Sequence, residues 1–231
     1  MDEIRKIYSI LYDSYGPQGW WPLLGLKGGV NPTKTGSVNG YHPGDYSYPR
    51  NSAERFEICC GAVLTQNTSW PQVEKALLAL KDEGLLSSTA MHYSDVEKIK
   101  PRIKPAGYFN QKAQYLKELT SFFINLRGVP RRDDVLGIKG VGDETADSIM
   151  LYAFGQASFV VDAYTHRIFT RMGLVEKDAK YLEIKKMFED ALATDVELYQ
   201  EYHALIVEHA KRHCKTKPEC EGCVLKEICK Y

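Results

Sequence analysis

Between two segments with helical patterns the chain reads Leu136-Gly137-Ile138-Lys139-Gly140-Val141-Gly142-Asp143-Glu144-Thr145-Ala146. Gly140 and Gly142 permit a tight turn with unusual backbone angles, and they let a ligand approach the main chain closely. The helix that we predict from Asp143 would point its free N–H groups at whatever lies over the turn, and such an arrangement binds phosphate. An ordinary corner between two helices is the alternative, since a pair of glycines alone is a weak signal.

On both sides of this turn, apolar residues recur at helical spacing, and few segments alternate as strands do. The pattern predicts an all-α fold with helices over 2–14, 53–66, 70–82, 93–99, 111–126, 143–154, 163–172, 178–191 and 195–212. Residues 158–161 form a short apolar run that is either a strand or a buried connection. Residues 26–52 carry many turn-forming residues without periodicity, so we expect an irregular segment that is functional or mobile.

Length and composition limit the class of protein. The chain has 231 residues, 44% of them hydrophobic, which is enough for one large domain or two smaller ones. Because 30 basic residues balance 30 acidic ones, a DNA partner would have to be held by a local patch or by main-chain amides. We find no apolar run long enough to span a membrane and no signal peptide, so we expect a cytoplasmic protein without a membrane partner.

Four of the 6 cysteines lie close together near the C-terminus. They are Cys214, Cys220, Cys223 and Cys229, spaced C-x5-C-x2-C-x5-C. Structural zinc sites usually pair two short hooks, and this sequence has one, so we favour a [4Fe–4S] cluster over zinc. Surrounding basic residues, Lys211 among them, would offset the charge of such a cluster or approach phosphates. Cys59 and Cys60 lie in an apolar helical run, which argues against a disulfide framework and for a reducing compartment.

A single carboxylate follows the glycine turn at an informative position. Asp162 comes 20 residues after Gly142, behind three apolar residues and directly before a predicted helix. Its ordinary role would be that of a helix N-cap. A carboxylate that emerges from an apolar segment is also a candidate for catalysis, because burial raises its pKa.

The glycine turn, Asp162 and the cysteines together resemble the endonuclease III superfamily of helix-hairpin-helix DNA glycosylases, from about residue 56 to residue 229. The resemblance implies a six-helix barrel domain over 53–157 that contains the hairpin. It implies a second, discontinuous domain over 1–52 and 158–231 that ends in an iron–sulfur loop. Asp162 would be the catalytic aspartate, and the four cysteines would hold the cluster, although their first gap is five residues where six is commoner.

The same resemblance implies how DNA would be bound. The partner would be double-stranded DNA containing a damaged base, held by a monomer. Gln66 would fill the gap that the extruded base leaves. The implied DNA-binding residues are Gln66, Asn67, Lys139, Gly140, Val141, Gly142 and Thr145.

One departure from the superfamily pattern and one further resemblance refine the expected activity. Bifunctional members carry a lysine at the position of Glu144, and a carboxylate cannot form the imine that precedes strand cleavage. Four residues are similar to the base pocket of the 3-methyladenine DNA glycosylase branch, namely Trp20, Trp21, Pro22 and Trp70. The segment from Gly107 to Ala113, with its Gly-x-x-x-x-Lys-Ala pattern, also looks like that branch. Core packing is the alternative explanation for the tryptophans.

We therefore predict a monofunctional DNA glycosylase that hydrolyses the N-glycosidic bond of a flipped-out alkylated purine such as 3-methyladenine. A glycosylase for uracil, mismatched thymine or oxidised bases on the same scaffold, with or without AP-lyase activity, would carry the same motifs. A non-catalytic DNA-binding iron–sulfur protein would need the hairpin and the cysteines but not Asp162. An iron–sulfur electron carrier would need the cysteines alone and would leave the hairpin unexplained.

Overall fold

The computed structural model describes residues 2–26 and 39–231, and no strand occurs in these two ranges. The prediction of an all-α fold is confirmed. A single turn of 3₁₀-helix lies at Lys104–Ala106, and α8 continues as a π-helix over Ile149–Ala153. The α-helices are α1 (Asp2–Tyr15), α2 (Ser52–Thr65), α3 (Trp70–Asp82), α4 (Ser88–Tyr93), α5 (Val96–Ile99), α6 (Phe109–Asn125), α7 (Arg132–Leu136), α8 (Asp143–Ser148), α9 (Ala163–Arg171), α10 (Tyr181–Ala191) and α11 (Val196–Arg212).

Helix α2 is enclosed by other helices because its second part, from Ile58 to Leu64, is apolar on every side. All but one of its residues from Phe56 to Leu64 are buried. A helix of this composition must be enclosed, and α3, α6 and the π-helical part of α8 pack around it. Burial raises the pKa of the Cys59 thiol to about 12, and it raises that of the Cys60 thiol well above its usual value. Both cysteines are therefore inert core residues.

The two ends of the described chain meet. Helix α1 packs against α10 and α11. The Tyr202 hydroxyl donates to the carbonyl of Ile4 at 2.7 Å, and Arg5 Nε donates to the carbonyl of Ala191 at 2.6 Å. The apolar run over 158–161 is a buried connection and not a strand. The domain boundaries implied by the resemblance stay a prediction.

The helices that the sequence pattern missed are short. Residues 93–99, predicted as one helix, contain the end of α4 and a separate α5, whose start is capped by Asp95 at 2.9 Å from the amide of Glu97. Of the segment predicted to be irregular, residues 39–51 contain no helix, and residues 27–38 lie outside the described part. No helix in the described ranges has the length and apolar character that crossing a membrane requires.

A buried carboxylate, Asp147 in α8, connects the hairpin to the rest of the fold. Arg132 at the start of α7 donates to both of its oxygens at 2.8 Å. Ser158 and Tyr181 donate hydroxyl hydrogen bonds to it, and Lys185 Nζ lies 3.2 Å away. Burial alone would raise the pKa of Asp147, but these donors and charges outweigh it and lower the pKa. The carboxylate therefore carries its charge inside the protein and holds three parts of the chain together.

Replacing Asp147 by Asn should lower the free energy of unfolding by about 3–5 kcal/mol, because Arg132 and Lys185 would lose the fully buried one of their carboxylate partners and keep only Asp143 and Glu189. Denaturant titration of both proteins measures the difference. The matched control is Asp190→Asn, which removes an exposed ion pair with Lys186 at 2.7 Å and should change stability by no more than about 1 kcal/mol. Similar small losses in the two variants would contradict the role given to Asp147.

Candidate active site

A cavity of about 690 Å³ opens between the hairpin, the loop that follows α2, and helices α9 and α11. This volume is in the range of ligand pockets. The cavity brings together residues that are far apart in the sequence. The predicted site residues that line it are Trp20, Trp21, Gln66, Asn67, Trp70, Gly140, Gly142, Thr145 and Asp162.

Three of the predicted base-pocket and DNA-binding residues are not in the lining. Pro22 and Val141 are buried without contributing to the cavity wall. Lys139 is exposed to solvent on the hairpin. For Pro22 the prediction of a base-pocket position therefore has no support from the lining, whereas Lys139 remains available to a ligand that approaches from outside.

One wall of the cavity consists of three indole rings. The centroids of Trp20, Trp21 and Trp70 are 5.2–5.5 Å apart, and each pair meets edge to face. Trp21 and Trp70 are 5% and 6% exposed, whereas Trp20 is half-buried. A Cβ at Gly61 would lie 3.1 Å from Trp21 Nε1, so this glycine of α2 leaves room for the ring. The wall can accept a flat ring against Trp20.

Asp162 both caps α9 and lines the cavity. Its Oδ1 accepts hydrogen bonds from the amide and the hydroxyl of Thr165, at 2.7 and 2.8 Å. Its Oδ2 lies 3.7 Å from Nε2 of His203. One oxygen thus completes the start of the helix, and the other is left for the histidine and for a ligand.

The expectation of a raised pKa at Asp162 is wrong. Burial acts in that direction, but hydrogen bonding and charge from His203 and the two Thr165 donors outweigh it, so that the pKa is lowered. Asp162 is therefore a carboxylate at neutral pH. It can stabilise positive charge or orient a water molecule, but it does not hold a proton to donate.

His203 is a site residue that sequence reasoning missed. Its Nδ1 is 2.7 Å from the Tyr152 hydroxyl, which also donates to the carbonyl of Gln200 at 3.1 Å. These contacts fix the ring so that Nε2 faces Asp162. A histidine inside an amphipathic helix gives no signal of this role, because only the packing of α11 on α9 brings it to the carboxylate.

The hairpin glycines differ from each other. Gly140 has a φ of +87°, and a Cβ there would lie 2.3 Å from the ring of Tyr115, so only glycine fits. Gly142 has an extended backbone with a φ of −100°, which corrects our expectation of unusual angles at both glycines. Among the described residues, no atom lies within 4 Å of a Cβ built at Gly142. In residues 2–26 and 39–231, the amides of Gly140 and Gly142 find no acceptor. The turn is open to a ligand at this point.

Gln66 joins the loop after α2 to the hairpin, because its Nε2 donates to the Gly140 carbonyl at 2.9 Å and to Thr145 Oγ1 at 3.0 Å. On its buried side, the loop after α2 is held by Lys112, which is 2% exposed. Its ammonium donates to the carbonyls of Leu64, Gln66 and Ala106 at 2.7–2.8 Å, and burial lowers its pKa to about 8. The lysine of the Gly-x-x-x-x-Lys-Ala pattern therefore holds the loop after α2 in place.

Two more charged residues line the cavity. Burial raises the pKa of Glu144 to about 7, and the charge of Asp162 adds to this while His203 opposes it. Lys211 reaches the cavity from α11, with Nζ 5.6 Å from the ring centroid of Trp20. Lys211, which we expect from its position in the sequence to lie near the cysteines, faces the indole wall.

The four C-terminal cysteines line a second, smaller cavity together with Arg171 and His209. Arg171 donates to Cys214 Sγ at 3.2 Å, and His209 Nε2 lies 3.7 Å from Cys223 Sγ. Burial raises the pKa of the Cys223 thiol, and the other three cysteines add to this effect, so the four groups are close enough to interact. In the described ranges no three His, Cys, Asp or Glu side chains are grouped to hold one metal ion.

Residues 60–194 match the family of HhH-GPD superfamily base excision DNA repair proteins. The chain is also 43% identical, over 238 aligned residues, to the protein MJ1434 of Methanocaldococcus jannaschii, which is named as a candidate DNA repair glycosylase. The alignment covers 98% of this chain and 95% of that protein.

Solved structures share the fold. An endonuclease III trapped in a covalent intermediate with DNA superposes with a TM-score of 0.76 at 21% identity, covering 99% of this chain and 95% of that one. The H. pylori 3-methyladenine DNA glycosylase MagIII, bound to 1,N6-ethenoadenine, gives 0.68 at 24% identity and covers 91% of this chain and 96% of that one. Since the family match spans more than half of the chain and the M. jannaschii relative aligns over nearly all of it, the chain belongs to the HhH-GPD superfamily of base excision DNA repair proteins.

Proposed function

We propose that the protein is a monofunctional DNA glycosylase that removes a damaged base extruded from double-stranded DNA. The observation that carries this proposal is the position of Asp162, whose ionised carboxylate opens onto a cavity bounded by indole rings and by the hairpin. The names of the M. jannaschii relative and of the MagIII neighbour refer to the same class of reaction.

Main-chain groups of the hairpin would hold the DNA backbone. The amides of Gly140 and Gly142 point to no partner in the described part of the chain, and the helix that starts at Asp143 adds the positive end of its dipole. Lys139, exposed on the turn, supplies a cation beside them. Binding of phosphates through main-chain amides needs no excess of basic residues, which agrees with the formal net charge of zero.

Extruding a nucleotide costs a few kcal/mol, least for a poorly paired base. Gln66, at the rim between cavity and hairpin, would occupy the space that the base leaves, with Asn67 exposed beside it. The base would then enter the cavity against the indole of Trp20. The Asp162 carboxylate would stabilise the positive charge that develops on the deoxyribose, or orient the water that attacks C1′.

The indole wall supports an alkylated purine such as 3-methyladenine as the substrate. A methylated purine is a cation, and a cation on an aromatic face gains about 0.5–2 kcal/mol. The ammonium of Lys211 over Trp20 favours a second candidate, a neutral damaged base such as uracil, mismatched thymine or an oxidised base, because it would repel a cationic one.

Asp162→Asn should lower the single-turnover rate of base release by about 10²–10³-fold, because an amide carries no charge to stabilise the sugar cation. The variant should bind a lesion-containing duplex as tightly as the wild-type protein does. A panel of duplexes, each with one defined lesion, measures release and identifies the substrate. Base release by Asp162→Asn at the wild-type rate would exclude Asp162 from the chemistry.

The complementary variant is Gly142→Ala. Its methyl group fits the protein without a clash but would obstruct a phosphate over the turn, so DNA affinity should fall while thermal stability is unchanged. Gly25→Ala, at another exposed glycine with open space around it, is the matched control.

Borohydride should trap no covalent adduct between the wild-type protein and damaged DNA, because Glu144 occupies the position of the imine-forming lysine. Glu144→Lys should place an amine at the mouth of the cavity and produce an adduct. An adduct with the wild-type protein would contradict the monofunctional assignment. Loss of that adduct in Lys211→Met would then identify the amine.

We propose that Cys214, Cys220, Cys223 and Cys229 hold a [4Fe–4S] cluster. The four thiols surround one cavity, and Arg171 at 3.2 Å from Cys214 places a cation where thiolates need one. When bound, such a cluster would give the C-terminal loop a rigid shape.

Metal analysis should find about four iron atoms and acid-labile sulfide per chain. Cys220→Ser should lose the iron, whereas Cys59→Ala, in the core, should keep it. Zinc in place of iron would overturn the cluster.

A further inference from the structure

Three residues on one face of α11 line the main cavity. They are His203, Val207 and Lys211, spaced four residues apart, so that they lie along one side of the helix. His203 at one end faces Asp162, and Lys211 at the other end lies over Trp20. The negative charge of Asp162, beside His203, and the positive charge of Lys211 therefore lie at different places along the same cavity.

The ammonium of Lys211 is not used elsewhere in the described structure. The next residue, Arg212, is paired with Glu208 at 2.6 Å, whereas in residues 2–26 and 39–231 no carboxylate forms an ion pair with Lys211. Its Nζ lies over the ring of Trp20, 5.6 Å from the centroid. Burial lowers the pKa of Lys211, while the charges of Glu208 and Asp162 oppose this, so the ammonium is partly removed from water and still senses the aspartate.

We propose that Lys211 is a further catalytic residue, which contacts the extruded base and stabilises the electron pair that the base receives as its bond to the sugar breaks. This inference rests on the proposed glycosylase function. Asp162 would act at the sugar and Lys211 at the base, so that opposite charges favour the separation of charge along the breaking bond.

The reaction balances without a redox partner. The bond between C1′ and the glycosidic nitrogen breaks, and its electron pair stays on the base. The oxygen of a water molecule bonds to C1′, and one proton of that water passes to the base or to solvent. A neutral base leaves with a negative charge, whereas a cationic base leaves neutral. A nearby ammonium therefore helps the neutral base most and, before cleavage, repels the cationic one.

The test uses the full chain and two duplexes, one with hypoxanthine as a neutral base and one with 7-methylguanine as a cationic base. Lys211→Met keeps the length of the side chain and removes its charge. We expect its single-turnover rate on hypoxanthine to fall by about 10²-fold. On 7-methylguanine the rate should change by less than about 10-fold, and the KM should fall because repulsion is removed. Lys211→Arg should retain most of the activity on both.

Lys186→Met, at an exposed lysine of α10, is the control for loss of a positive charge from the protein. Melting temperatures show whether each variant is folded. Equal rates for Lys211→Met and wild type on hypoxanthine would overturn the role of Lys211, and so would equal losses on the two lesions. If the wild-type protein released neither these bases nor any other in the lesion panel, the glycosylase function itself would fail, and the role of Lys211 with it.

Discussion

Asp147 carries a negative charge in the protein interior, and the rest of the site depends on how that charge is neutralised. Its donors come from the start of α7, from the connection after α8, and from α10. A buried ion without partners is strongly unfavourable, so these segments can adopt only arrangements that keep the donors in place. The hairpin and the segment that leads to Asp162 are thereby fixed relative to each other. The hairpin turn and Asp162, the carboxylate that we propose to be catalytic, therefore share one support.

The two carboxyl groups that line the cavity, Asp162 and Glu144, differ in pKa because their surroundings differ. Asp162 accepts hydrogen bonds that lower its pKa, whereas the pKa of Glu144, an exposed residue at the cavity mouth, is raised by partial desolvation and by its negative neighbour Asp162. Two acids in one cavity are thus prepared for different protonation states, a pattern typical of sites that carry out acid–base or electrostatic catalysis.

The long helices, the hairpin and Asp162 could be predicted because each leaves a local mark: periodicity, a pair of glycines, or a carboxylate after an apolar run. Helices α4 and α7 are too short for periodicity to reveal. His203 and Lys211 are four-residue neighbours of Val207, but polar residues at such spacing usually face solvent, and only tertiary packing directs them inward. The sign of the pKa shift at Asp162 also depends on a histidine 41 positions away in the chain.

The contact between α1 and α11 has a consequence for biosynthesis. Ribosomes add about 5–20 residues per second, so helix α1 emerges roughly 10–40 seconds before the helix that covers it. During that interval its apolar side, with Ile4, Ile7 and Leu11, lacks its final neighbour. The nascent chain also lacks His203, so Asp162 has no histidine beside it until α11 has been synthesised. A chain that stops before α11 would therefore lack one wall of the cavity, with His203, Val207 and Lys211.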